Sequence, residues 1–208
     1  MMTPLDHPIV YESFALIDQE VGAHAFSGAE YEIVRRVIHS TADFEFLELV
    51  RWNEGAIASG IRALRAGQPL VVDVTMVRQG ILKKVAQTFQ NPIVTALDFA
   101  TEALPGRTRT ETGLLRCFAK YPQAVYGIGN APTALLTLCD AVDNTGQQPP
   151  LVIGVPVGFV KVVEAKQRLI ASGIPYIYTQ GRKGGSPVAA AIINALLTLA
   201  WTEAECLL

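Results

Sequence analysis

One histidine on a well-patterned element, one strand-end aspartate and three glycine-rich loops are the groups through which this chain could do chemistry. His39 stands three positions after Arg36 in RVIHS, a spacing that puts both on one face of a helix. An imidazole can give and take a proton near neutrality. A guanidinium beside it disfavours the charged imidazole and offers a planar fork for a carboxylate. The pair reads either as a proton donor beside an anion clamp or as a helix-end cap with a packed neighbour. Ser13 has no base near it in sequence, so it is a hydrogen-bonding candidate and not a nucleophile.

The loops are GIGNAP at 127–132, GVPVGF at 154–159 and GRKGGSP at 181–187. Each follows a short apolar run and precedes a stretch of helix-forming residues. Strand–loop–helix units of this kind point main-chain N–H groups at helix N-termini, where anions are favoured. Gly184, Gly185 and Ser186 before Pro187 form a good anion nest, with Arg182 and Lys183 adjacent. Pro132 suits a first helical position, with Asn130 or Ala131 as the cap. Asp73 ends the run VVDVTM, a place that suits either a site carboxylate or a turn. Arg107 and Arg109 in PGRTRTETG lie at a helix start, free to meet an acidic ligand or water.

Several chemistries are disfavoured. In GIGNAP, Pro132 stands where a dinucleotide fingerprint has its third glycine, and no acidic residue follows at the ribose-binding distance. No G-x-x-x-x-G-K-[ST] and no G-x-S-x-G is present, against a P-loop and against a hydrolase elbow. The three histidines and three cysteines show no metal-ligand spacing, and Cys117, Cys139 and Cys206 form no disulfide framework. No metal and no cofactor are expected.

The elements that must position these groups alternate. Residues 8–24, 29–40 and 53–66 read as helices, the last with Asn53 as N-cap and Gly67 as its end. Strands are expected at 70–74, 93–97, 124–128, 151–155 and 176–179, with helices near 77–80 and at 108–119 and after each later strand. Five strands alternating with helices predict an α/β fold with a parallel five-stranded sheet covered on both faces. Ligands of such sheets lie beyond the carboxyl ends of the strands, where the glycine loops fall. With 208 residues, half of them hydrophobic, one domain over 1–208 is expected. Net charge is −2, the isoelectric point about 5.9 and mean hydropathy +0.29, against nucleic acid as a partner. Apolar runs are too short for a membrane span, and the start lacks a signal-peptide pattern. A cytoplasmic protein without a membrane partner is expected.

SFALID (13–18), RVIHS (36–40), VVDVTMVRQGI (71–81), GRTRTETG (106–113), GNAPTAL (129–135), GVPVGFV (154–160) and RKGGSPVAAAIINAL (182–196) occur in that order along nearly the whole chain. In this set the sequence resembles the precorrin-8 methylmutase family, also called precorrin isomerase. The resemblance implies a three-layer flavodoxin-like fold with extra N-terminal helices, and a homodimer with active sites at the interface. It implies an isomerase of cobalamin biosynthesis that moves a methyl group between adjacent ring C carbons of precorrin-8, or its cobalt form, giving hydrogenobyrinate or cobyrinate. The family's essential histidine falls on His39, and its substrate contacts on Ser13 and Arg36. Asp73, Arg109, Asn130, Thr133, Gly158, Gly184 and Ser186 complete the expected substrate-binding set, and Val157 and Phe159 would suit a flat macrocycle face. Two rival readings are a nucleotide-cofactor oxidoreductase, which would bind cofactor on titration, and a non-catalytic corrinoid carrier, which would bind product without converting precursor.

Overall fold

The computed structural model describes residues 5–205. Among them, helices α1 (Pro8–Val21) and α2 (Gly28–Thr41) come first. His7 caps α1 by accepting from the Ile9 N–H, and Pro8 sits at the first helical position. Ser27 and Glu30 close a reciprocal capping box at the start of α2. A short helix α3 (Phe46–Leu49) leads into strand β1 (Val50–Trp52), followed by α4 (Ala56–Arg65). The alternating part then runs β2 (Leu70–Val72), α5 (Thr75–Gln87), β3 (Ile93–Thr95), α6 (Arg109–Lys120), β4 (Val125–Ile128), α7 (Pro132–Thr145), β5 (Leu151–Gly154), α8 (Val162–Ile170), β6 (Tyr176–Thr179) and α9 (Ser186–Glu205). A 3-10 turn, Ala96–Phe99, extends β3.

The sheet is mixed, with strand order β1-β6-β5-β4-β2-β3. The five strands expected from sequence pair in parallel. The sixth, β1, is a correction to the five-stranded expectation. It pairs antiparallel with β6 along the edge, Val50 opposite Thr179 and Trp52 opposite Ile177. Asn53 is corrected with it. It does not cap α4, whose N-cap is Gly55 at φ 75°. Its amide instead donates to the Ile174 carbonyl at 3.0 Å and accepts from the Tyr176 N–H at 2.8 Å, extending the edge pairing by side chain.

Successive strand residues face opposite sides, as a pleat requires. Val72, Val125, Leu151, Ile153 and Ile177 pack with α2, α4, α5 and α9. Val71, Tyr126, Ile128 and Val152 pack with α6, α7 and α8. Helix α9 fills the centre of the first layer. By length and composition it could cross a membrane, but here it is the core helix. Its Ile192, Ile193, Leu196 and Leu197 are fully buried, each contributing on the order of 1.5–3 kcal/mol. Small residues let its neighbours approach: a β-carbon on Gly80 of α5 would lie 2.7 Å from that of Ala190.

Candidate active site

The carboxyl ends of β2, β4, β5 and β6 bring the glycine loops together. Gly129 abuts the first turn of α9, where a β-carbon would lie 2.9 Å from the Ser186 Cα. The Gly185 N–H donates to the Val155 carbonyl at 2.8 Å, and the Gly158 N–H to the Arg182 carbonyl at 3.3 Å. Gly184 has φ 156°, and a β-carbon there would collide with the Val155 oxygen, so only glycine fits. Gly158 and Gly184 thus share one surface with Asn130 and Thr133, while Ser186 beside them is buried, at 6% exposure. Arg109 stands further along the strand ends. It is exposed and its Nε donates to the Ala100 carbonyl at 3.1 Å. Val157 and Phe159 project from the middle loop, Phe159 85% exposed with the Arg182 guanidinium 5.6 Å from its ring centroid.

Two readings from sequence need correction. Asp73 is fully buried, its carboxylate turned onto main chain instead of outward. Its Oδ1 accepts from the Gly129 N–H at 3.1 Å, and its Oδ2 from the N–H groups of Asn130 at 2.7 Å and Ala131 at 2.8 Å. The N–H groups expected to grip an external anion already hold an internal one. Burial raises the Asp73 carboxyl above its ordinary range, against the lowering pull of these three donors.

Arg36 is likewise engaged from within. It is 7% exposed, while His39, three residues on, is exposed. Its Nη2 lies 3.0 Å from Asp6 Oδ2 and 2.9 Å from Glu32 Oε1, and Lys84 Nζ reaches Asp6 Oδ1 at 2.8 Å. Burial weakens the hold of Arg36 on its proton, but the two carboxylates more than compensate. Burial also acts to raise the Asp6 carboxyl, yet Arg36 and Lys84 hold it below its ordinary value. This cluster ties the segment before α1 to α2 and α5, and leaves no open fork for a substrate carboxylate.

Ser13 and His39 do come together. With Leu16, Ile17, Ile38 and Phe44 they line one open pocket of about 250 Å³ between α1 and α2. Phe14 fixes the imidazole, its ring centroid 5.3 Å from that of His39 at 79°, and the Arg35 guanidinium packs 4.3 Å from the same phenyl ring. The Ser13 hydroxyl donates to the Ile9 carbonyl at 2.9 Å, which leaves its lone pairs for a ligand. A larger groove of about 490 Å³, between Trp52, Ile57, Arg62 and Glu203, holds none of the expected site residues.

The His39 pocket and the strand-end loops are neighbours. Lys183 reaches from the glycine loop to Asp43 at 2.6 Å and Glu45 at 2.9 Å, just past the end of α2. Glu111 faces the hydroxyls of Thr133 and Thr137. Burial acts to raise it, but the Thr108 N–H and these hydroxyls hold it below its ordinary value. Among the described residues no group of histidines, cysteines and carboxylates could hold a metal ion. Lys166, which no motif in the sequence singles out, lies buried beneath the third loop. An exposed imidazole beside a hydroxyl, next to a cradle of small residues, suits the transfer of one proton to or from a large, flat ligand.

Comparison with known proteins gives matches along nearly the whole chain. The family model described as Precorrin-8X methylmutase matches residues 8–199. The cobalt-precorrin-8 methylmutase of Synechocystis sp. is 58% identical, covering 97% of this chain and all of that protein. The precorrin-8X methylmutase of Pseudomonas aeruginosa is 35% identical over 91% of this chain and 94% of its own length. The crystal structure of precorrin-8x methyl mutase from Thermus thermophilus superposes with a TM-score of 0.85 at 42% identity, covering 95% of this chain and 99% of that one.

Proposed function

The chain belongs to the precorrin-8X methylmutase family, and on that premise we propose that His39 moves the one proton its reaction needs. The protein is an isomerase of cobalamin biosynthesis that shifts a methyl group on a precorrin. The imidazolium of His39 gives a proton to the ring C region of the macrocycle. The methyl group then leaves one carbon with its bonding pair and joins the electron-poor neighbour, and the proton returns to His39. Atoms and electrons balance within the substrate, so no redox partner is required. The observation that carries this reading is the exposed His39 ring beside Ser13, held by Phe14 at the edge of the glycine-loop surface.

Ser13 orients the macrocycle edge, and Asn130, Thr133, Gly158, Gly184 and Ser186 form its cradle. Arg109 receives one of the acidic side chains, and Val157 and Phe159 lie against the flat face. Of the two forms of substrate, the cobalt-containing one is favoured, because the relative at 58% identity carries that name. The cobalt is cargo within the ring. Mixing the protein with metal-free and with cobalt-containing precursor, and following the absorption change, tests both the activity and this preference.

The parallel strands alone run β3-β2-β4-β5-β6, an order that supports the three-layer flavodoxin-like description. Both helix layers share this one sheet, in keeping with a single domain. The exposed apolar residues Ile9, Leu16 and Val160 support a homodimer in which a second copy covers them. Sedimentation at micromolar concentration checks it. The free thiols of Cys117 and Cys139 are buried and suit a reducing cytoplasm; Cys206 lies outside the described residues.

A further inference from the structure

Lys166 is a buried cation that the proton step does not use. It projects from α8, is 2% exposed, and its Nζ donates to Thr179 Oγ1 at 3.0 Å, to the Gly181 carbonyl at 2.9 Å and to the Lys183 carbonyl at 2.8 Å. An ammonium has three protons, and three oxygens take them. Among the described residues it has no carboxylate partner, and burial alone pushes its pKa down to about 8. A buried charge without a counter-ion is a liability for stability. An apolar side chain in its place would leave those three oxygens without this donor, so the lysine is explained by what its protons hold.

What they hold is the backbone of the third loop. The Thr179 hydroxyl donates onward to the Lys183 carbonyl at 2.8 Å, closing a ring of hydrogen bonds under residues 179–183. Immediately beyond, Gly184 passes so close to the Val155 carbonyl that no side chain fits, and Gly185 bonds to that same oxygen. From outside, the loop is met by the Gly158 N–H at the Arg182 carbonyl, at 3.3 Å, by the Gln180 N–H donating to the Leu49 carbonyl at 2.8 Å, and by the exposed ion pairs of Lys183 with Asp43 and Glu45, which contribute little.

We propose that Lys166 is a positioning residue for substrate binding: its ammonium fixes residues 179–183 and so places Gly184 and Ser186 against the acidic macrocycle. This rests on the reading of the strand-end loops as the cradle. Three variants test it: Lys166→Met, Thr179→Val and Ser186→Ala, in steady-state kinetics on the precursor with melting curves alongside. Lys166→Met raises KM and the product Kd by about tenfold or more, keeps kcat within about threefold, and melts below the wild-type temperature because the Gly181 carbonyl loses its donor. Thr179→Val shifts KM in the same direction by less, and Ser186→Ala raises it through the lost contact.

A folded Lys166→Met with unchanged KM, while Ser186→Ala raises it, overturns the role of Lys166 and leaves the cradle standing. Unchanged KM in all three removes the cradle and the inference together. A loss confined to kcat in Lys166→Met also overturns the proposal. If Lys166→Met does not fold, Thr179→Val decides: an unchanged KM there is a refutation.

Discussion

Replacing Asp73 by Asn removes a charge and almost nothing else, so it isolates what that carboxylate does. Its two oxygens accept three N–H bonds from Gly129, Asn130 and Ala131 in a fully buried position. An amide has one oxygen. If that oxygen takes the Oδ2 place it keeps the bonds from Asn130 and Ala131, and its NH2 then faces the buried Gly129 N–H. If it takes the Oδ1 place, two bonds are lost. Each hydrogen bond to a charged acceptor contributes about 1.5–3 kcal/mol, and an orphaned buried donor costs about 1–3 kcal/mol. Part of this is offset because a charge is no longer buried. The net loss is about 2–3 kcal/mol, and a melting temperature lower by about 4–12 °C for a chain of this size. Urea unfolding of the ligand-free protein, with product affinity measured at low temperature where both variants are folded, gives the two numbers needed. A loss of stability with weakened binding is the expected pattern, because the loop that moves carries Asn130 and Thr133. Product binding lost with stability unchanged would refute the reasoning and return Asp73 to a direct ligand contact.

Three further outcomes follow from the same geometry. His39→Ala lowers kcat by about 10²–10⁴-fold, while product affinity and melting temperature stay near wild type, since the ring is exposed; turnover within tenfold of wild type removes the proton step. Arg36→Met leaves Asp6, Glu32 and Lys84 with their charges unbalanced and costs about 3–5 kcal/mol; a variant that melts normally but binds product poorly would restore Arg36 as a substrate clamp. Lys166 has a pH signature in stability. Its folded-state pKa of about 8 lies below its ordinary 10.5, so the unfolded chain binds more protons between these values and stability rises with pH across that window. The full gain is on the order of 3 kcal/mol. Buried Cys117, Cys139 and Tyr126, whose protons burial retains, pull the other way in any variant. The test is therefore the difference: wild-type stability minus that of Lys166→Met rises from pH 8 to 10.5, and a constant difference contradicts the assignment.

How much of this was legible in sequence depends on the range of the interaction. Runs such as Leu70–Val72 and Leu151–Gly154 are buried on both faces, so their composition alone marks them as strands. The capping box of Thr108 and Glu111 lies within four residues, and the helix from Arg109 fell within a residue of its expected start. Strand β1 was hidden because Val50-Arg51-Trp52 is short, carries an exposed Arg51, and becomes a strand only through its pairing with β6. Helix α5 was seen only near 77–80, since its second half is polar and Lys84 is buried only by virtue of Asp6. Arg36 was placed on the right helix, but its partner Asp6 is thirty residues away and no local spacing announces it. Lys166 follows the same rule. A lysine in a helix reads as solvated until the carbonyls of residues 15 and 17 positions later are seen to surround it.

The engagement of the main chain from within changes how an acidic macrocycle must be held. Asp73 occupies the N–H groups of 129–131, and Val155 and Arg182 carbonyls occupy those of Gly185 and Gly158. The charged groups outward around these loops are side chains: Arg109, Lys161 and Arg182 are exposed, as is Asn130, and Arg78 is partly so. Recognition by buried main-chain dipoles would resist salt, because water and counter-ions do not reach them. Recognition by exposed cations is screened, with a Debye length of about 10 Å at 0.1 M. The structure therefore implies that product affinity falls steadily with added sodium chloride, and that charge-removing changes at Arg182 or Arg109 flatten the dependence. Fluorescence titration of the corrinoid product at several ionic strengths reads it directly. A wild-type affinity independent of salt would mean that the loops rearrange on binding and release their N–H groups to the substrate, with Asp73 displaced. In that case Asp73→Asn should tighten product binding, the reverse of the outcome argued above, so the two titrations decide the matter together.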